Sequence, residues 1–210
     1  MKMDSQVPNC LRWAREIHSI GKAGQYYAQN EFDRQRYQRL VEMSAEIIGS
    51  NIGLPEKHVM AALCTQDGYV TPKVDVRGAI FKAGQVLLVK EITDGLWSLP
   101  GGWADVNVAP SRMVEQEVNE ETGLNVAARK IVGIYEANHD RDPINVFHSY
   151  KVLFLCDYLN GELRSSYETP ELQYYSLNAL PPLSTSRTSE TYIMEAYKHS
   201  LDPSLPTVFD

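Results

Sequence analysis

The spacing of apolar residues divides the chain. From about Asn9 to Cys64 they recur at helical intervals, and beyond Gly68 they mostly alternate. In LRWAREIHSIG, Leu11, Ala14 and Ile17 lie on one helical stripe, and Gly21 is the expected stop. A second helix is expected from Asp33 as its cap, with Tyr37, Leu40, Val41, Ser44, Ile47 and Ile48 as its stripe before Gly49. A third, short helix is expected from Pro55, a residue favoured at the first helical position. Short amphipathic helices bury little surface alone, so these are expected to pack on the following domain or on a second copy of themselves.

Asp67-Gly68 and Pro72 are turn and linker punctuation. After them Val74, Val76, Gly78 and Ile80 alternate with Asp75, Arg77 and Ala79, which predicts a strand, and QVLLVKE follows across a Lys82-to-Gly84 turn as the second arm of a hairpin. GLWSLP, RKIVGIYEA, SYKVLFLCDYL and LQYYSL are further strands, with a loop from Asn138 to His148, and SETYIMEAYKHS is a closing helix capped by Ser189. There is no internal repeat. The expected organisation is a helical domain over 1–67 and a mixed α/β domain over 68–210 with two helices.

One of those two helices carries an unusual load. Pro110 and Gly123 bracket about a dozen residues holding Glu115, Glu117, Glu120 and Glu121, directly after the turn LPGGW. Met113, Val114 and Val118 can face a sheet, and Leu124 packs just beyond the end. Like charges one turn apart repel. Glu117, Glu120 and Glu121 are related by i, i+3 and i+4, so they project from one patch. Taken alone, such a patch is also what a solvated acidic helix face looks like. The Gly101-Gly102 turn beside it changes the balance, because glycine lets backbone approach a ligand, and carboxylate oxygens suit hard cations such as Mg²⁺ or Mn²⁺.

Bulk properties narrow the rest. The chain has 210 residues, 43% of them hydrophobic, ordinary for a globular protein of one or two domains. A net charge of −7 argues against a general binder of duplex nucleic acid or of anionic membrane, yet leaves room for a local phosphate site. Cys10, Cys64 and Cys156 have no pairing or metal-type spacing, which fits free thiols in a reducing compartment. MKMDSQVPNC has no apolar signal core and no apolar run reaches spanning length, so a cytoplasmic protein is expected.

The stretch from Leu99 to Val126 resembles the Nudix box, G-x5-E-x7-R-E-U-x-E-E-x-G-U, where U is a bulky aliphatic residue. Gly102 opens it, and Glu117, Val118, Glu120, Glu121, Gly123 and Leu124 fall at matching positions. The resemblance implies an α/β/α sandwich with a mixed sheet, and divalent cations held by the three glutamates. It also implies hydrolysis of a nucleoside diphosphate linked to some other group. Two positions depart from the pattern: Val108 stands at the first glutamate of the box and Gln116 at its arginine. Those two residues tend to pair in the family. Losing one alone would leave a buried charge uncompensated at about 3–5 kcal/mol, so the double change reads as a coupled replacement.

The likeness extends beyond the box. RWAREIHSIGKAGQYYAQNEFDRQRYQRL, GYVTPKVDVRGAIF, LPGGWAD and LPPLSTSRTSE resemble the Nudix subgroup with an extra N-terminal helical domain. That subgroup includes CDP-choline pyrophosphatases, and relatives are labelled ADP-ribose pyrophosphatases. The resemblance therefore implies cleavage of CDP-choline to CMP and phosphocholine, or, next, of ADP-ribose to AMP and ribose 5-phosphate. A nucleotide-sensing regulator that binds without cutting would be expected to lose metal glutamates, and here all three remain. An RNA 3′-end exonuclease using the same metal site has the acidic surface against it.

The expected catalytic residues are Glu120, Glu117 and Glu168, and the expected metal ligands are Glu117, Glu120, Glu121 and the Gly102 carbonyl. Glu168 and Glu171, in SSYETPELQYY, are candidates for a loop-borne general base, with solvated loop charges as the alternative. Arg77 is a candidate for a forked contact to substrate phosphate or for an ion pair with Asp75. Trp103 can stack on a base, and both it and Trp97 can pack under the turn; His148 and the NHDRDP loop can donate to phosphate or be structural. Arg187 has a similar standing. The helical domain has no basic footprint; its apolar stripe is expected to pair two chains into a homodimer, with Tyr26, Tyr27 and Tyr37 shaping a shared surface.

Overall fold

The computed structural model describes residues 9–53, 55–63, 69–137 and 148–209. The chain separates into two compact units, the first taking in the residues up to Pro72 together with His148 and the second comprising Lys73–Ala137 and the residues from Ser149 onward.

The first unit is a helical hairpin with a short third helix: α1 (Asn9–Tyr27), α2 (Glu31–Ile52) and α3 (Glu56–Leu63). The link between α1 and α2 is so short that the two run antiparallel, and the thiol of Cys10 at one end donates to the Asn51 side-chain amide oxygen at 3.0 Å. The expected stop at Gly21 is wrong. The helix runs through Gly21 and Gly24 because both are contact points with α2. A side-chain carbon on Gly21 would lie 2.8 Å from Val41 Cγ2, and one on Gly24 would lie 2.2 Å from the Tyr37 ring. Gly49 is likewise interior to α2, which ends instead on Gly53 in the left-handed conformation. The N-cap is Asn30, not Asp33: the Asn30 side chain accepts the Asp33 N–H at 2.9 Å. Ala14, Ala45, Ile48, Val59 and Leu63 form the buried core of this unit.

The second unit is built on two sheets. In the first, β1 (Lys73–Ala79) pairs parallel with β6 (Ser149–Gly161), β6 antiparallel with β5 (Leu124–Glu136), and β5 parallel with β8 (Val208–Phe209). In the second, β3 (Gln85–Lys90) pairs with β2 (Phe81–Lys82), β4 (Trp97–Ser98) and β7 (Glu171–Ser176). The β2–β3 hairpin turns on Ala83 and Gly84, both at positive φ, as a tight two-residue turn demands. Helices α4 (Pro110–Thr122) and α5 (Glu190–Leu201) complete the unit.

Side-chain alternation along β1 sorts the core into two layers. Val76 and Ile80 join Met113, Val114 and Val118 of α4. Ala79 joins Leu153, Leu155, Trp97 and Ile193 of α5. The result is a mixed sheet with a helix on each side, an α/β/α sandwich. Gly78 sets the depth of α4, since a side-chain carbon there would lie 2.8 Å from Val118 Cγ2. Among the described residues no helix is long and apolar enough to cross a membrane.

The turn that precedes α4 is tied to β1. Val76 N–H donates to Gly102 O and Gly78 N–H to Pro100 O, each at 2.9 Å, and Ala104 N–H donates to Val74 O at 2.8 Å. From the other side the segment after β7 braces it: Trp97 N–H donates to Pro182 O, Ser184 N–H to Trp97 O, and Leu99 N–H to the Thr188 hydroxyl at 2.9 Å.

Candidate active site

Helix α4 presents its glutamates to this braced turn. Pro110 occupies its first turn and Gly123 closes it at φ 75°, so the sequence fixes both ends. With Met113, Val114 and Val118 held in the core, the remaining face is aimed at Gly101-Gly102. Glu121 is buried, and its carboxylate accepts the Gly101 N–H at 2.9 Å. Glu117 is half-buried; a side-chain carbon on Gly102 would lie 2.9 Å from one of its oxygens and 3.3 Å from the other. Glu120 is exposed and accepts from the Gln116 side-chain amide at 2.8 Å.

Two of them, Glu121 and Glu117, hold protons unusually well. Burial pushes Glu121 up to about 8, with Glu91 and Glu117 adding to the rise; Arg77 and the Gly101 N–H oppose it. Burial also pushes Glu117 up to about 7, reinforced by Glu120, Glu168 and Asp105 and opposed by Arg77. A carboxylate cluster whose repulsion and desolvation outweigh its counter-charges is one that gains from an added cation.

The built-in positive charge is Arg77, which is buried on the strand face opposite Val76. Its Nε donates to Asp75 at 2.9 Å and its Nη1 to the Leu99 carbonyl at 3.1 Å, and it lies 3.6 Å from Glu91. Burial works against its charge, but Asp75, Glu91 and Glu121 outweigh that and raise its pKa. The ion pair with Asp75 that the sequence left open is thus present. Sequence reasoning missed the second cation. Lys151, fully buried, donates to the other Asp75 oxygen, and burial lowers its pKa to about 8 against the pull of Asp75. The available signal was a lysine on the inward half of a strand, in step with Leu153 and Leu155. Arg187 extends the network, lying 3.3 Å from Glu91 and 3.2 Å from Asp94.

Among the described residues no three acidic, histidine or cysteine side chains stand close enough together to hold an ion as they are. The donor set is nonetheless all oxygen, as a hard divalent cation requires. Glu117 lies in the space that the missing Gly102 side chain leaves, and Glu120 is exposed one turn further along the same helix. The Gly102 carbonyl accepts from Val76 N–H, which leaves it a second lone pair. The residues present fit the group.

Residues 71–196 match the NUDIX domain model, a span that runs from the linker through the turn, α4 and Glu168 to α5. The chain belongs to the Nudix family. Residues 8–63 match the Nudix_N model, described as a UDP-X-like, N-terminal oligomerisation domain. The chain is 31% identical over 200 residues to a putative ADP-ribose pyrophosphatase, YjhB, of Bacillus subtilis strain 168, covering 95% of this chain and 96% of that one. It is 40% identical to the crystal structure of an ADP-ribose pyrophosphatase from Streptococcus suis, with a TM-score of 0.60, over 67% of this chain and all of that one (100%). A UDP-X diphosphatase structure, 24% identical with a TM-score of 0.61, shares the fold over 96% of this chain and 98% of its own. As a Nudix hydrolase, the protein is a pyrophosphohydrolase acting on phosphorus-containing anhydrides.

Both departures from the Nudix box have a local account. Val108 is half-buried against the α4 core cluster, where a carboxylate would meet apolar side chains. Gln116 keeps a hydrogen bond to Glu120 without bringing a charge. Of the other candidates, Glu168 is exposed, on the loop between β6 and β7, and its charge reaches Glu117. Glu171 is paired with Lys90 at 2.7 Å on the neighbouring strand. Trp103 is 46% exposed, with Lys73 Nζ 5.8 Å from its ring centre, whereas Trp97 belongs to the core. His148 is half-buried just before β6; the NHDRDP loop lies outside the described residues, as does Cys64. Cys156 is buried, which pushes its thiol up to about 12 and makes it inert.

Proposed function

We propose that the enzyme is a divalent-metal-dependent hydrolase that cleaves the pyrophosphate of a nucleoside diphosphate joined to a second group. The observation that carries this reading is the placement of Glu117 and Glu121 against Gly101-Gly102, with a buried cation, Arg77, behind them. Glu117, Glu120, Glu121 and the Gly102 carbonyl would hold Mg²⁺ or Mn²⁺. When bound, such an ion neutralises pyrophosphate oxygens and lowers the pKa of water. Arg77, fixed by Asp75, would offer the substrate phosphate a stationary positive charge. Glu168 would take the proton of the attacking water from its loop. Trp103 would stack on the base.

ADP-ribose leads as substrate, because the full-length relative and the more similar of the two solved structures are named for it. CDP-choline, which the sequence resemblance put first, comes second. A product-release assay with Mg²⁺ across nucleotide conjugates tests this: AMP and ribose 5-phosphate are expected from ADP-ribose, and CMP and phosphocholine if CDP-choline is the substrate. Cleavage of some other conjugate with both of these untouched overturns the substrate assignment.

The helical unit would join two chains into a homodimer. Its exposed Trp13, Ile20, Tyr26, Tyr27 and Phe32 support this, as does the oligomerisation-domain match; Tyr37 sits half-buried behind them against Gly24. A monomeric mass by light scattering at micromolar concentration would remove it. The free thiols Cys10 and Cys156 fit a reducing cytoplasm.

A further inference from the structure

Between Gly161 and Glu171 the chain forms neither helix nor strand, yet it is firmly anchored. The last carbonyls of a helix have no partner within it, and two of those of α4 are taken by this segment. Arg164 N–H donates to Thr122 O at 2.8 Å, and the Thr169 hydroxyl donates to Glu121 O at 2.9 Å. Thr169 is wholly buried, whereas its neighbour Tyr167 is 87% exposed and Glu168 is exposed too. Thr169 also closes a small turn with Ser166: their hydroxyls are 2.8 Å apart, Thr169 N–H donates to Ser166 Oγ at 3.1 Å, and Ser166 N–H donates to Thr169 O at 3.1 Å. On its other side Glu168 is held by its own carbonyl, which accepts the Ile92 N–H at 3.1 Å.

We propose that Thr169 is a positioning residue for hydrolysis: its hydroxyl fastens the Glu168 loop to the peptide of Glu121, so that the loop carboxylate and the helix carboxylates share one frame. This rests on the reading of Glu168 as the general base. A base works only within hydrogen-bond reach of the proton it takes, and a loop displaced by an ångström forfeits about a hundredfold in rate. The hydroxyl bond prevents that displacement by a route in which Thr169 itself never meets the substrate. A purely structural threonine, satisfying one orphan carbonyl, would leave its mark on stability and not specifically on turnover.

The test is steady-state kinetics on Thr169→Val, Thr169→Ser, Glu168→Gln and the Glu168→Gln/Thr169→Val double variant, with thermal unfolding of each. Valine keeps the size and removes the bond. The expected result is a fall in kcat of about ten- to hundredfold for Thr169→Val with KM within about twofold. Thr169→Ser should restore the rate, and Thr169→Val should add less than about twofold once Glu168 is already glutamine. Should Thr169→Val not fold, Ser166→Ala removes the hydroxyl partner of Thr169 without touching α4, and a selective loss of kcat is again expected. An equal loss from Thr169→Val in both backgrounds overturns the proposal, as does a normal rate for Thr169→Val beside an impaired Glu168→Gln. A normal rate for Glu168→Gln overturns the general-base reading first, and this inference with it.

Discussion

The carboxylate of Glu121 accepts the backbone N–H of Gly101 across 20 residues of sequence, and this bond locks the acidic helix to the glycine turn. The turn can lie where it does only because Gly101 has φ 141° and no side chain: a carbon there would come 2.0 Å from Val76 O. Gly101→Ala should therefore cost about 3 kcal/mol or more, from backbone strain and the clash together. Gly102→Ala should cost less in stability, because the nearest atoms belong to the end of the Glu117 side chain, but should displace that carboxylate and lower activity. Urea unfolding and rate measurements on the two variants separate the effects.

The raised carboxyls give the metal-free protein a distinctive pH profile. A group whose folded pKa exceeds its unfolded value contributes stability at low pH and loses it as pH rises through the folded value. Glu117 and Glu121, lifted from 4.5 to about 7 and about 8, should make the protein in EDTA steadily less stable between those limits. Glu121→Gln, whose amide oxygen can still accept from Gly101 N–H, should flatten the slope. Thermal unfolding against pH checks this, and saturating Mg²⁺ should also flatten it.

Asp75 carries two buried cations, Arg77 and Lys151. Asp75→Asn takes the carboxylate from Lys151 and leaves Arg77 with Glu91 and Glu121 alone, so it should destabilise by about 3–5 kcal/mol. Lys151→Met removes one cation and leaves Asp75 with Arg77, so its loss should be smaller. Chemical denaturation of the two variants decides the order; a larger loss for Lys151→Met would contradict the arrangement.

The two departures from the Nudix box should behave as a pair. Val108→Glu places a carboxylate against the α4 core cluster and should cost about 1–3 kcal/mol. Gln116→Arg, on an exposed helix face, should change stability by no more than about 0.5 kcal/mol. Together they should cost less than the sum by about 1 kcal/mol. Additivity within about 0.5 kcal/mol in a double-mutant cycle would mean the positions are independent.

Helix α4 was legible because local chemistry fixes it: Pro110 opens it, Gly123 ends it, and one apolar face runs between. Glycine was misread where its role is not local. Gly21 looks like a helix stop, and only the partner helix reveals it as a point of close approach. Strand β5 was read too short because register shifts near Ala128 and Ile131 interrupt its alternation. Strand β8, at Val208–Phe209, is defined by pairing with Gly133 and Ile134, which no local pattern announces. The glutamates and Arg77 could be picked out because one short helix and one strand carry them. Lys151 and Thr169 could not, since their meaning depends on Asp75 and Glu121, brought to them by strand pairing and by a loop return.

The proposed hydrolysis requires glutamates of one helix to act through a divalent cation. Its most direct test is the Mg²⁺-dependent hydrolysis rate of Glu120→Gln beside wild type, on a conjugate the wild type cleaves. Glutamine keeps the size and removes the charge, and a metal ligand supplies several kcal/mol to the transition state, so a loss of at least about a hundredfold is expected. A rate near that of wild type, in a variant with unchanged thermal stability, would contradict it.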